Sequence, residues 1–405
     1  MKSMSEISEI REQFPQLQEL VYGKPLVYLD NAATSLRPVS VAHKWNEMSL
    51  KYNSNLHRAV HYMAQKATDE YETTRVAVGS AIGAAAGKIV FTAGATASLN
   101  LVASCLSESY LKEGDEIIIA ESEHHSNIVP WQMACRRTGA KIKVLPVDDR
   151  GYLRIQELES MITEGRTKLL CVAQVSNVLG LINPIKEIVN ICRSKGCATV
   201  VDGAQGIVHC PVNVTDLGCD FYAFSGHKVY AAPGTGVLYM REEWAEKLPP
   251  YMGGGEMIDT VSWESSTYAP APQKFEAGTQ NISGTPTLAP ALELRDRMKE
   301  NPEIKEFMLQ ELRSRSGIRL FGDPLEAEDK IPLFSFVVEG AHHEDLALIL
   351  DKLGVAVRSG QMCAEPLMNR FGVSGMLRAS FAPYNTIEEA EYFIEALDRA
   401  IKMLS

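Results

Sequence analysis

The chain has 405 residues, 45% of them apolar and 22% charged, with a formal net charge of −11. That length suggests two or three domains, or one large domain with a smaller one, and it can bury a large core. The acidic balance disfavours nucleic acid or an anionic membrane as the main partner.

The N-terminus, MKSMSEISEIREQ, is polar and lacks the apolar core of a signal peptide. No later run approaches transmembrane length, so a cytoplasmic protein is expected. Residues 5–20, roughly, read as a helix. From about residue 86 short apolar runs alternate with helical patterns. Strands are expected at 88–92, 116–122, 141–147 and 168–176, with helices at 95–110, 127–138, 153–162 and 184–196. Further strands follow at 198–204, 219–225 and 236–241. Continuous apolar strands alternating with helices predict a mostly parallel sheet covered on both faces, an α/β fold. Ligands in such sheets bind at the carboxyl ends of the strands. The Gly-, Pro-, Ser- and Thr-rich stretch 249–286 reads as a functional loop region. A helical pattern near 288–300 leads to strands at 331–338 and 355–358 and helices at 344–353 and 387–403, an α+β unit.

The eight cysteines lie at 105, 135, 171, 192, 197, 210, 219 and 363, with no CxxC pair. Most sit among apolar neighbours, the pattern of small buried thiols rather than a metal site or disulfide framework. Cys363 differs, with polar neighbours on a turn before a proline.

Polar motifs gather at the expected strand ends. Lys228 ends the apolar run FYAFSGHK, where an amine without solvent is either snorkelling or a neutral nucleophile. Asp202 closes ATVVDGA, Gly94-Ala95-Thr96 joins a strand to a helix N-terminus that can seat an anion, and Ser225 and His227 flank the lysine. His124 and His125 follow one strand and Asn177 another. Each feature alone has a plainer reading. A strand-end aspartate is usually a cap, GAT a helix start, and paired histidines surface or core residues. Together, an amine, a carboxylate and a phosphate seat on one rim match the needs of pyridoxal phosphate.

The strings DGAQ, DFYAFSGHK, EHHSNIVPW, SNVLG and FEAGTQN resemble those of the cysteine desulfurases, and the likeness runs from YLDNAAT (28–34) to LRASFAPYNT (377–386). RSGQMCAEP (358–366) resembles the type II, SufS/CsdA-like branch of this class V aminotransferase family. The resemblance implies an aspartate-aminotransferase-like fold: a large domain, 21–290, with a mostly parallel seven-stranded sheet, and a small α+β domain, 291–405 with helix 1–20. It implies conversion of L-cysteine to L-alanine, with sulfur held on Cys363 as a persulfide. Lys228 is implied to carry pyridoxal 5'-phosphate as a Schiff base, Asp202 to pair with its ring nitrogen, His124 to stack on the ring and Gln205 to bond its phenolic oxygen. Thr96, Ser225 and His227 are implied to hold the phosphate, with Thr279 reaching it from the partner of a homodimer. Asn177 and Arg378 are implied to hold the substrate carboxylate, with Ala32, Ala33, His57 and Arg358 as further pocket wall. A SufE- or SufU-like acceptor serving iron–sulfur cluster assembly is the expected recipient of sulfur. Selenocysteine lyase activity is the alternative, since that reaction can proceed without a protein thiol. No metal site is expected. Ala97, the pair Gln361-Met362 and the segment YAAPGTG depart from the commoner family pattern.

Overall fold

The computed structural model describes residues 4–404. Its main sheet has seven strands: β1 Ile89–Thr92, β2 Glu116–Ala120, β3 Lys141–Leu145, β4 Thr167–Ala173, β5 Ala198–Asp202, β6 Phe221–Ser225 and β7 Gly236–Met240. They lie in the order β1-β7-β6-β5-β4-β2-β3. Only β7 opposes its neighbours, β1 and β6. The remaining pairs are parallel. Parallel pairing needs crossovers that cover both faces, so the inner strands must be apolar on both sides. They are: Ile118, Leu170, Val201 and Phe224 enter one core cluster, while Ile117, Leu169, Val200 and Phe221 enter another. At the edge, β3 keeps Lys141 and Val144 exposed, and its lysines discourage further strand pairing.

A second, antiparallel sheet has four strands, β8 Ile318–Phe321, β9 Leu333–Val338, β10 Arg358–Gly360 and β11 Met376–Ser380, in the order β8-β9-β11-β10. Helices Pro302–Ser314, His343–Lys352 and Ile387–Leu404 share a third core cluster with it, including Leu309, Leu350, Phe393 and the strand residue Phe336. The architecture is therefore a large α/β part with a mixed, mostly parallel sheet, and a smaller α+β part.

Several elements differ from the sequence expectation. The helix expected over 5–20 stops at Glu12 and resumes as the single 3-10 turn Pro15–Gln18, because Pro15 has no N–H for a continuing helix. Residues 1–3 of the segment 1–20, expected to join the small domain, lie outside the described residues. The segment touches both parts: Arg11 bonds the Tyr384 carbonyl and pairs with Glu389, while Phe14 packs against Tyr230. The loop region 249–286 contains a hairpin, Ile258–Val261 with Ser266–Tyr268, whose exposed residues carry no apolar alternation to reveal it. β11 was hidden by Arg378, a charged residue in the middle of a fully buried strand. No described helix is long and apolar enough to cross a membrane.

One turn stitches the two parts together. Asp30 forms a parallel bridge with Ser380, the Asn31 side-chain amide donates to the Ser380 carbonyl at 2.7 Å, and the Ala32 N–H donates to Ser380 Oγ at 2.9 Å. The turn grows from Val27–Tyr28, which pairs with Val355–Ala356, lies against β11, and reaches the large part at its far end, where the Ser35 N–H donates to the His227 carbonyl at 3.1 Å.

Candidate active site

The carboxyl ends of β1, β2, β4, β5 and β6 open on a cavity of about 420 Å³. Two roomier grooves, of about 930 and 1640 Å³, lie along helices elsewhere, and neither brings a lysine and an aspartate to the sheet rim. Chemistry, not size, marks the smaller cavity. β6 ends at Ser225, and a single 3-10 turn, Gly226–Lys228, carries Lys228 into the cavity wall. Burial pushes its amine below the ordinary lysine value, with Asp202 opposing and Arg378 adding to the effect. The lowered pKa enlarges the neutral, nucleophilic fraction. Asp202, buried at the end of β5, accepts the Ala204 N–H at 2.9 Å. Burial raises its pKa, and Lys228 holds it down. Gly203 follows it because any Cβ there would strike the Tyr222 ring at 2.0 Å.

The helix Ala95–Ser109 points its N-terminus at the same cavity. Ala95 N–H donates to Ser225 Oγ at 2.8 Å, and Thr96 Oγ1 bonds Ser126 Oγ at 2.7 Å. The rim is tight here: a Cβ on Gly236 would lie 2.3 Å from Gly94 Cα. His227 lines the wall and bonds Thr34 through Nδ1. Burial pushes its imidazole down to about 4, helped by Lys228 and Arg37. His124 is likewise pushed down to about 4, by burial first and then by Lys228, His125 and Arg378, so it is neutral at pH 7. Its Nδ1 accepts the Ser126 N–H at 3.0 Å, which places the ring proton on Nε2. Behind it, Glu123 is fully buried and pushed up to about 8 by burial, which spares the site a second buried anion beside Asp202. Gln205 also lines the cavity and donates to the Ala32 carbonyl at 2.8 Å.

The small sheet supplies the opposite wall. Arg378 on β11 is 3% exposed. It donates to the Asn177 carbonyl at 2.8 Å and to Asp30 Oδ1 at 3.2 Å, while its Nε–H has no partner. Arg358 lies 3.8 Å from Asp30 Oδ2. A guanidinium N–H without a partner is available to a ligand carboxylate. Cys363 lines the cavity too, and it is the one exposed thiol of the eight among the described residues. Met362 and Cys363 both have left-handed backbones, φ +53° and +55°. Each costs about 1–2 kcal/mol for a non-glycine residue, so the turn must be held by its surroundings.

The aminotransferase class-V family model matches residues 27–393. A probable cysteine desulfurase of Xylella fastidiosa (strain Temecula1) is 43% identical over 401 residues, covering 98% of this chain and 95% of that protein. A probable cysteine desulfurase of Vibrio cholerae is 41% identical over 99% of this chain and all of its own length. Among solved structures, the cysteine desulfurase CsdA of Escherichia coli superposes with a TM-score of 0.90 at 39% identity, covering 98% of this chain and 99% of that one. The apo cysteine desulfurase of Thermococcus onnurineus gives 0.93 at 37% identity over the whole of both chains. The chain belongs to the class V aminotransferase family, in its type II cysteine desulfurase branch.

Members of this family work with pyridoxal phosphate, and the cavity suits it. A desolvated amine, a buried carboxylate across from it and a helix N-terminus with hydroxyl groups converge on one space. Of the residues singled out from the sequence, Ala32, Ala33, Thr96, His124, Asn177, Asp202, Gln205, Ser225, His227, Lys228, Arg358, Cys363 and Arg378 line it together. Gly94, His125, His57 and Thr279 do not line it within one chain. His57 turns to Glu72, whose Oε1 lies 3.0 Å from Nε2, and packs near Tyr71. Thr279 is exposed on the loop after Glu276. Sequence reasoning passed over Asp30, Thr34 and Ser126, all of which line the cavity. Asp30 had a signal: a carboxylate inside the quoted YLDNAAT turn, two residues before Ala32, needs a cation once buried.

Proposed function

We propose that this pyridoxal-phosphate-dependent enzyme is a cysteine desulfurase that moves sulfur from L-cysteine to Cys363 and releases L-alanine. The observation that carries this reading is an exposed thiol, Cys363, sharing one cavity with the desolvated Lys228 and the half-satisfied Arg378. When bound, the cofactor supplies the electron sink that acidifies the substrate Cα–H and weakens the Cβ–S bond. Lys228 would anchor it, and its Nζ would take the substrate Cα proton. Asp202 would keep the ring nitrogen protonated, Gln205 would bond the phenolic oxygen, and His124 would lie against the ring. Thr96, Ser225 and His227 would hold the phosphate. Asn177 and Arg378 hold the substrate carboxylate, beside Ala32, Ala33 and Arg358. Cys363 Sγ, as thiolate, then bonds the substrate sulfur while the Cβ–S bond breaks. The electron pair stays with the carbon fragment, which is protonated and leaves as alanine, and a persulfide remains on Cys363.

The exposed loop bearing Thr279 supports a homodimer in which each chain completes its partner's phosphate site. The exposure of Cys363 supports hand-over of the persulfide to a SufE- or SufU-like acceptor for iron–sulfur cluster assembly. The decisive experiment is alanine release from L-cysteine and L-selenocysteine, with reductant, for wild type and Cys363→Ala. The proposal expects cysteine turnover to vanish in the variant while selenocysteine turnover, if present, survives. Wild type that ignores cysteine yet releases alanine from selenocysteine would replace the desulfurase reading with a lyase.

A further inference from the structure

We infer that His125, which does not line the cavity, is the positioning residue that holds Cys363 at its working place. The inference rests on the assignment of Cys363 as the sulfur-accepting thiol. The two neighbouring histidines are pinned in opposite tautomers by backbone donors. His124 accepts at Nδ1, from the Ser126 N–H, and His125 accepts at Nε2, from the Glu365 N–H at 3.0 Å. An acceptor at Nε2 leaves the ring proton of His125 on Nδ1. Its own peptide N–H donates to the Cys363 carbonyl at 2.7 Å. One residue therefore grips the cysteine turn at two points, the thiol's own carbonyl and the start of the helix Glu365–Phe371.

The grip has a purpose in the backbone. Met362 and Cys363 occupy the left-handed region, which non-glycine residues leave unless they are held. Asn177 secures the neighbouring Met362 carbonyl at 2.9 Å, and Ala364 N–H closes the turn on Gln361. Met362 itself is buried in the main core cluster, which anchors the turn from below. Cys363 is thus exposed as a side chain but clamped as a backbone. His124 and His125 are consecutive, so the ring that lines the cavity and the clamp on the thiol turn lie on one short stretch of chain. A thiol that must meet the substrate sulfur gains from such fixed placement.

The test separates the two halves of the reaction in the holoenzyme. Cα-proton exchange of L-alanine in D2O, read by NMR, needs the cofactor and Lys228 but no thiol. Desulfuration of L-cysteine with reductant needs Cys363 as well. His125→Ala should lower kcat for cysteine at least tenfold, with KM and alanine exchange within twofold of wild type. His125→Gln, whose carbonyl oxygen can take the place of Nε2, should recover most of the loss. Glu365→Pro removes the donor from the other side at a first-turn position that tolerates proline. It should give the same selective loss, not additive with His125→Ala. It also stands in should His125→Ala fail to fold. Equal loss of exchange and desulfuration in these variants, or no loss of either, would overturn the inference. A Cys363→Ala control that still turns over cysteine would instead remove the function assigned to the thiol.

Discussion

Asp30 makes a sharp test of how the carboxylate end of the cavity is charged. In the free protein its Oδ1 lies 3.2 Å from Arg378 Nη2, and Arg358 stands 3.8 Å from Oδ2. A hydrogen bond to a charged group contributes about 1.5–3 kcal/mol. The Asp30 side chain is 18% exposed, so solvent screening favours the lower part of that range. In Asp30→Asn, Arg378 cannot swing away: it is buried, and the Asn177 carbonyl still holds Nη1 at 2.8 Å. A ligand carboxylate on Arg378 then restores what the substitution removed, so binding should tighten. A difference of about 2 kcal/mol corresponds to roughly thirtyfold in affinity at 1.4 kcal/mol per decade. L-alanine, which carries the substrate carboxylate but no sulfur, is the probe. Its Kd is measured by titrating the holoenzyme and following cofactor absorbance. Asp30→Asn should lower that Kd about thirtyfold, and Asp30→Glu should restore it. An unchanged or weaker affinity in Asp30→Asn would show that Asp30 does not compete with the ligand for Arg378.

Other expectations follow from the same geometry. Lys228→Ala should lose both turnover and the visible absorbance of the bound cofactor, and an unaltered spectrum would sink the anchoring role. Glu276 pairs with Arg75 at 2.6 Å, both side chains being 2% exposed, and it also accepts the Phe91 N–H of β1. Removing one member of a buried pair costs about 3–5 kcal/mol, and Glu72 still bonds Arg75, so Glu276→Ala should cost near 3 kcal/mol in urea unfolding. A loss below about 1 kcal/mol would refute the role of that pair in holding the loop that carries Thr279. In the cofactor-free protein, His124 and His227 are pushed down to about 4 from an ordinary 6.5. Their depressed values mean the unfolded chain takes up protons first. The stability they allow is complete above pH 6.5 and is lost as pH falls toward 4. Glu123, raised to about 8, contributes the opposite slope above pH 4.5. His227→Asn should therefore flatten the wild-type slope between pH 7 and 5, and a variant profile parallel to wild type would contradict the His227 shift.

Much of the large sheet was legible in the chain because buried parallel strands leave continuous apolar runs that no surface helix shows. The strand-end motifs were legible for the same reason, since Lys228, Asp202 and His124 interrupt such runs with polar groups. Burial of seven thiols in whole or part and exposure of Cys363 followed from their neighbours alone. The order of the strands was not readable, because periodicity tells which side chains turn inward but not which strand lies beside which. Nor could it show that β7 runs backward and brings Gly236 against Gly94. β11 escaped because its buried arginine is stabilised by Asp30 and Asn177, residues 348 and 201 positions away. The partners of His125 are as remote: Glu365 is 240 positions along the chain. The residue types at the strand ends thus followed from local sequence. Which of them meet, and which cation faces which carboxylate, arose only when the small sheet closed over the rim, because those contacts are made between segments that share no local pattern.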